Sequence, residues 1–554
     1  MNRLTKTDFI LYRECAKNVW VKWHMPEEYK KFPISEFEES LGVMGNEVEK
    51  LARGMFPDGY LVEKRSEGAQ ELTKKLMGEN TPIIFQAVFS IDKYLAATDV
   101  LKWNKEAKAY DLYEIKMSST EGESEEVIED GKEPKVNKKK ELQYEYDLAF
   151  QTNVAKLCGV NFNKKYLVRL NKKYKRIGDL DFTKLFEITD KTEKLDETFL
   201  SVALTEMNSA YEYLSAKETP IGRCSCYYKG RSSHCTSFSI SNPDVPAYSV
   251  HDLNRIGNSK KLLGELLNEG ILKIDDVPEE MVKPKLKSKS KSSSSSRTNN
   301  SFSNSQEFEN SNTGTVTGKE TARPIKLNQV RVYKTKQPII DIEAIKMELN
   351  SLKFPLYFLD YETYPTAIPP FSGYHPYQHI VFQYSLHILK SKDAELEHKE
   401  CLILEGDPAE KIVASLRENI GDTGSVISWY KSFENSRNKE LAGLVPEQAE
   451  FLHSVIERTY DLMDIVDKQY YVHHGFKGSS SIKKIQPVIA PNFSYKDLEV
   501  QNGTMAIEAY RQISVGELKG KEMEEKRKQM LKYCEYDTKI MYIIWKFFRD
   551  LVEK

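Results

Sequence analysis

The stretch PIIFQAVFSIDKYLAATDVLKWNKEAKAYDLYEIKMSS, residues 82–119, decides how the first half of this chain is read. Ile83, Phe85, Val88 and Phe89 supply apolar side chains to a core. A turn falls near Asp92 and the chain returns through KYLAATDVL, so residues 82–100 predict two strands. AYDLYEIKMSS (109–119) alternates in character and predicts another strand. Asp99 stands at a strand end, and Glu114 and Lys116, two residues apart, share one face of the next strand. Two carboxylates and an ammonium at a sheet edge suit a hard cation such as Mg²⁺ or Mn²⁺, with the lysine orienting water or countering charge on a phosphate. Glu-x-Lys alone fits an ordinary surface ion pair better, so its neighbours decide. Downstream, YEYDLAFQTNVAKLCGV (144–160) predicts an amphipathic helix bearing Tyr144, Asp147 and Gln151, and KKYLVRL (164–170) predicts a strand.

The whole chain has 554 residues, more than one core of ~250–300 residues accommodates, so at least two domains are expected. Apolar residues make up 40% and charged residues 30%, the mixture of a globular protein with a charged surface. No run reaches the roughly 18 uncharged apolar residues of a membrane span, and the opening MNRLTKTDFILYRECAKN lacks a signal-peptide core, so a cytoplasmic, reducing setting is expected. With 81 basic against 83 acidic residues, no polyanion partner follows from net charge. Residues 283–323 are dominated by Ser, Asn, Lys and Thr and predict a flexible linker. The expected division is 1–240, a small helical module at 241–282 broken by Gly257 and Gly270, the linker at 283–325, and 326–554. SSTEGESEEVIEDGKEPKVNKKK (118–140) predicts a solvated loop, with an active-site flap as the alternative.

The order of a strand with Asp99, a strand with Glu114-x-Lys116 and a helix with Gln151 resembles the PD-(D/E)xK nucleases. Within them it is most similar to the RecB-like exonuclease branch that includes CRISPR-associated adaptation exonucleases. The resemblance implies metal ligation by Asp99 and Glu114, catalysis by Lys116 and support from Gln151. That branch also carries an acid or histidine on an earlier helix. LGVMGNEVEKLARGMFPDG (41–59) offers Glu47 and Glu49 on different faces, no histidine, and Glu49 is favoured. Cys15, within a helix predicted over LTKTDFILYRECAKNVWVKW (4–23), and Cys224, Cys226 and Cys235 bracket this region and resemble the branch's iron–sulfur cysteines, implying a [4Fe–4S] cluster. The C-x-C spacing, eight further residues before Cys235, and His234 beside it keep zinc open. Cys158, Cys401 and Cys534 read as packing residues.

In FPLYFLDYETYPTAIPPF (354–371) a buried strand ends in Asp360 and Glu362, two acids on one face. Strand residues of VISWYKSFE (426–434) lead to the pair Phe433–Glu434, and LKYCEYD (531–537) places Tyr533 and Asp537 on one helical face. This order resembles the DEDD exonucleases of the DnaQ-like, RNase H-type fold, in their tyrosine subclass, since position 532 is Lys. The resemblance implies divalent-metal binding by Asp360, Glu362, Glu434 and Asp537 and water positioning by Tyr533, with Glu434 standing where that family usually has Asp. Asp461 and Asp464 are rival acids that read as structural. GYHPYQHIVFQYSLHIL (373–389) and HHGFKGSSSIKKIQPVI (473–489) offer aromatics with Lys477, Lys483 and Lys484, a combination suited to a single nucleic-acid strand. These segments also resemble an uncharacterised bacterial domain that recurs behind RecB-like exonuclease domains. The expected fold is therefore α/β, a PD-(D/E)xK restriction-endonuclease-like domain followed by an RNase H-like DEDD domain. The expected function is phosphodiester hydrolysis at two metal sites, on DNA rather than RNA, in repair or defence against foreign DNA. The alternatives are a nucleic-acid-binding or assembly factor with degenerate sites, and an RNA-processing exonuclease working through the C-terminal half.

Overall fold

The computed structural model describes residues 2–32, 36–63, 67–120, 138–284, 324–494, 498–500 and 502–554. The sequence expectations for a loop at 118–140 and a linker at 283–325 fall largely on 121–137 and 285–323, outside the described residues. The chain is a mixed α/β protein with several mixed sheets.

The first sheet orders its strands Tyr60–Leu61, Ile83–Phe85, Val100–Asn104, Ala109–Ser119, Phe162–Leu170 and Phe186–Asp190. Ala109–Ser119 runs antiparallel to Val100–Asn104, with Val100 opposite Tyr113, and parallel to Phe162–Leu170, with Glu114 opposite Leu167. A parallel neighbour requires a long crossover, which contains helix Lys138–Leu157. Every residue from Tyr146 to Ala155 is buried on that helix. It is enclosed, packing on strands Val88–Ile91 and Tyr94–Ala97 and on helix Glu197–Ser215, rather than carrying the single apolar stripe its sequence suggests. The two strands expected over 82–100 are three, Ile83–Phe85, Val88–Ile91 and Tyr94–Ala97. Gln86, in the left-handed region at φ 54, turns the chain out of the first sheet into a small second one with Leu4–Thr5. The single helix expected around Cys15 is likewise two, Lys6–Glu14 and Ala16–His24, separated by Cys15 in extended conformation.

The C-terminal sheet orders Leu396–Leu402, His379–Leu389, Leu356–Pro365, Ser425–Ser428 and Thr459–Asp461. The first three strands form an antiparallel meander and the last two add in parallel. Helix Gly520–Glu553 lies across this sheet, burying Tyr533, Cys534, Asp537, Thr538, Met541, Ile544 and Phe548 at helical spacing.

The halves are joined by packing. Ala367, just past the Leu356–Pro365 strand, is fully buried among Val48, Ala52, Phe56, Ile115 and Val168 of the first half. Arg176 donates to the carbonyls of Pro369 (3.1 Å) and Pro370 (2.5 Å), and its own backbone exchanges bonds with Gly373 and Tyr374. Residues of 250–282 share one core with Cys15, Cys224 and Cys226 and with Leu327 and Val330 of helix Ile325–Thr335. No helix among the described residues is long and apolar enough to cross a membrane.

Candidate metal sites

Strand pairing brings the N-terminal set together. Asp99 immediately precedes the strand facing Ala109–Ser119, and its Oδ2 accepts the Ile115 amide at 2.8 Å, which fixes it beside Glu114. Glu114 is 1% exposed, with both oxygens engaged. Oε1 accepts from Lys116 Nζ at 2.8 Å and from Lys6 Nζ at 2.5 Å, and Oε2 accepts from Gln151 Nε2 at 2.6 Å. Lys116 also donates to Asp147 Oδ2. Burial by itself would raise the Glu114 pKa, but the ammonium groups of Lys116 and Lys6 overcome it and hold the carboxyl below the usual range. Among the described residues no ammonium is paired with Asp99, and burial, with Glu114 next to it, pushes its pKa up to about 7 against the partial relief of the nearby Lys6 charge. Glu49 pairs with Arg53 NH2 (2.7 Å) and Gln86 Nε2 (2.8 Å), with its charge felt at Asp99. No metal-like grouping of three or more ligand atoms within 4.8 Å of one another forms here among the described residues.

The sequence reading missed two participants of this site. Lys6 lies 108 positions from the carboxylate it touches and stands alone in its segment, so no local spacing marks it. Asp147 was visible as a polar residue on the helix, but only the fold shows that it anchors Lys116.

The C-terminal set contrasts with this. Asp360 and Glu362 sit on one face of Leu356–Pro365, and their carboxylate oxygens and Cys534 Sγ all lie within 4.8 Å of one another. Asp537 and Glu434 act on Asp360 electrostatically, so the four acids share one field. Burial, then Asp537, drives the Glu362 pKa up to about 8 against the partial relief of Lys483. Burial also drives Glu434 to about 8, and its Oε2 has no hydrogen-bond partner. The Asp360 pKa is raised by burial and by Asp537 and Glu362. Buried acids that raise one another's pKa values are what a carboxylate site for a divalent cation looks like before the cation's charge is added. Tyr533, 4% exposed, lies one turn before Asp537 on the same helix. A Cβ at Gly503 would lie 3.8 Å from Glu362 Oε2, so the Asn502-capped start of helix Gly503–Ser514 closes over this carboxylate.

Asp461 accepts the Tyr430 and Lys431 amides at 2.9 Å each and so caps helix Lys431–Leu444, which carries Glu434. Asp464 pairs with Lys468. Cys534, read as packing, is indeed buried, but it is buried against the two acids. Of the aromatics proposed as stacking surfaces in 373–389, Tyr374, Phe382 and Tyr384 are not available, being at most 1% exposed, the last two because His379–Leu389 is an interior strand covered on both faces, while Tyr377 is half-buried. Lys483 remains exposed beside Glu362.

The third grouping is Cys15, Cys224, Cys226 and Cys235, whose four sulfurs all lie within 4.8 Å of one another, with Cys15 and Cys235 at 3.6 Å. Asn242 Nδ2 donates to Cys224 Sγ at 3.3 Å and Lys229 Nζ to Cys226 Sγ at 3.7 Å, favouring thiolates. His234 is directed elsewhere, its Nε2 bonded to the Lys229 carbonyl (3.0 Å) and its ring stacked on Phe238. A cysteine cluster able to hold a metal is therefore present.

Residues 357–481 match the family model described as a domain of unknown function, DUF2779. The chain is similar to the uncharacterized protein MG366 of Mycoplasma genitalium, 29% identical over 223 residues, which are 37% of this chain and 33% of that protein. Its Mycoplasma pneumoniae homolog is 27% identical over 241 residues, 40% and 36% of the respective chains. The uncharacterized protein UU173 of Ureaplasma parvum is 27% identical over 252 residues, 41% and 35%. The matched region thus spans about a third of each of these relatives.

Proposed function

We propose that this chain is a divalent-metal-dependent nuclease that hydrolyses phosphodiester bonds at two sites, with DNA ends as the favoured substrate. The observation that carries the reading is the C-terminal pocket. Asp360 and Glu362 lie together out of water, with buried Glu434 and Asp537 in the same field, where a divalent cation would offset the carboxylate charge better than one exposed lysine does. The order of the C-terminal strands, with three antiparallel and then two parallel, supports an RNase H-like exonuclease. The antiparallel pair bearing Asp99 and Glu114-x-Lys116, followed by a crossover helix and a parallel strand, supports a PD-(D/E)xK nuclease.

Asp360, Glu362, Glu434 and Asp537 would hold Mg²⁺ or Mn²⁺ in the second site, and Asp99 and Glu114 would hold it in the first. Such a cation supplies an activated water and charge stabilisation at the phosphate. Tyr533, one helical turn from Asp537, would orient that water. Lys116, anchored by Glu114 and Asp147, keeps its ammonium beside the first site, where it counters charge developing on the phosphate. Gln151 fixes the second Glu114 oxygen and so sets which oxygen is presented. Lys483 is exposed at the mouth of the second site and is suited to the backbone of an incoming strand.

The four thiolates are proposed to bind one tetrahedral ion, with zinc rather than an iron–sulfur cluster as the better fit. A Zn–S bond of ~2.3 Å in a tetrahedron sets sulfurs ~3.8 Å apart, which matches 3.6 Å between Cys15 and Cys235. In a [4Fe–4S] cube each thiolate binds a different iron and stands farther from the others.

The test is cleavage of end-labelled single- and double-stranded DNA, and of matching RNA, by the full chain with Mn²⁺. Cleavage reduced by Lys116→Ala and by Asp360→Asn, each folded, supports two working sites. Tight binding without cleavage overturns the enzyme reading.

A further inference from the structure

We propose that Lys6 is a second catalytic lysine of the N-terminal site, holding Glu114 until a divalent cation takes that carboxylate and then carrying its ammonium to the scissile phosphate. This rests on the nuclease reading above and adds to it a residue outside the Glu114-x-Lys116 motif. Four observations carry it. Two ammonium groups, Lys6 and Lys116, compete for the single oxygen Glu114 Oε1, and the other oxygen is taken by Gln151. A cation binding at Oε1 must displace one of them. Lys116 has a second anchor in Asp147, whereas among the described residues Lys6 is hydrogen-bonded by its ammonium to Glu114 alone. Lys6 is therefore the lysine that leaves.

Lys6 is the first residue of helix Lys6–Glu14, where the helix dipole disfavours a cation. Its reach is nevertheless fixed by the fold. Thr5 pairs with Leu95 in the ladder whose Tyr94–Ala97 strand leads two residues later into Asp99, so Lys6 and Asp99 each follow one of two paired strands of the same small sheet. The charge count completes the case. Once an incoming cation ionises Asp99, the residues Asp99, Glu114 and Asp147 bring three negative charges against two from Lys6 and Lys116, while Arg53 balances Glu49. Adding a divalent cation gives a net charge of plus one, which a single phosphodiester neutralises. In this exchange a cation–oxygen contact replaces an N–H···O bond, and Lys6 keeps all its protons.

The experiment uses the full chain with Asp360→Asn and Asp537→Asn, which confines chemistry and Mn²⁺ binding to the N-terminal half, and compares it with the same chain carrying Lys6→Met or Lys6→Gln. Mn²⁺ affinity is read by electron paramagnetic resonance and cleavage by single-turnover kinetics at saturating Mn²⁺, for whichever variant melts as the parent does. Removing the competing ammonium is expected to tighten Mn²⁺ binding about tenfold, the strength of one charge-assisted hydrogen bond. Cleavage should fall about 100-fold, as for loss of one preorganised donor to the transition state. Weaker or unchanged Mn²⁺ binding would overturn the exchange, and undiminished cleavage would overturn contact with the phosphate. A parent that binds Mn²⁺ but never cleaves would refute nuclease activity at the N-terminal site and the phosphate step together, leaving the C-terminal reading to the unsubstituted chain, while the Mn²⁺ comparison still decides the exchange.

Discussion

Glu362→Gln should stabilise the protein when divalent cations are chelated, and only at neutral to alkaline pH. In the folded chain the Glu362 pKa moves from its ordinary 4.5 to about 8. The folded state therefore binds a proton that the unfolded chain has released, and stability falls as pH rises from about 4.5 through about 8. A shift of that size corresponds to at most about 5 kcal/mol above the upper pKa, at 1.36 kcal/mol per unit, and sharing of protons with Asp360 and Asp537 reduces it to about 2–4 kcal/mol. Glutamine keeps the shape and removes the ionisation. At 2–4 °C per kcal/mol for a domain of this size, the variant's Tm in EDTA at pH 8.5 should exceed the parent's by about 5–15 °C. Near pH 5 the two should coincide. Saturating Mn²⁺ should reverse the order, because the ion stabilises only the charged site. Scanning calorimetry from pH 5 to 8.5, with and without Mn²⁺, reads all of this. A parent Tm in EDTA that is flat or rises with pH relative to Glu362→Gln would refute the shared-field picture.

Cys224→Ser should reduce bound zinc from about one ion per chain and lower the Tm, read by elemental analysis and melting, whereas a brown protein absorbing in the visible would refute the tetrahedral assignment. Thr538→Val keeps the shape but strands His387 Nδ1 and leaves Ser385 Oγ with His398 alone, each having been bonded to the Thr538 hydroxyl at 2.7 Å, and should cost about 1–3 kcal/mol in urea unfolding. Asp461→Ala removes the acceptor of two amides at the start of the helix bearing Glu434; a loss of about 1–2 kcal/mol is expected, together with weaker Mn²⁺ binding at the C-terminal site.

What could be read from the chain was what obeys local geometry. Glu114 with Lys116 and Asp360 with Glu362 are two apart on strands, and Tyr533 with Asp537 are four apart on a helix, so their common faces follow from the strand and helix repeats. The thiol grouping was legible because cysteine is rare enough for distant copies to stand out. Lys6 was not legible, since one lysine among many acquires meaning only when the small sheet delivers it to Glu114. The aromatics of 373–389 misled because alternation does not reveal that His379–Leu389 is covered on both faces, which puts Phe382 and Tyr384 in the interior. Gln86 and Cys15 broke expected elements for the same reason, each bending the backbone to satisfy partners far away in sequence.

The segment that buries Ala367 and is gripped by Arg176 leaves the very strand that carries Asp360 and Glu362. Cutting the chain once between residues 284 and 324 should therefore yield two polypeptides that travel together through gel filtration. A separately produced 326–554 would present a sticky, unmated surface next to its own acids. The two halves behave as mated parts, and the shape of one acid-bearing strand is underwritten by the other half of the molecule.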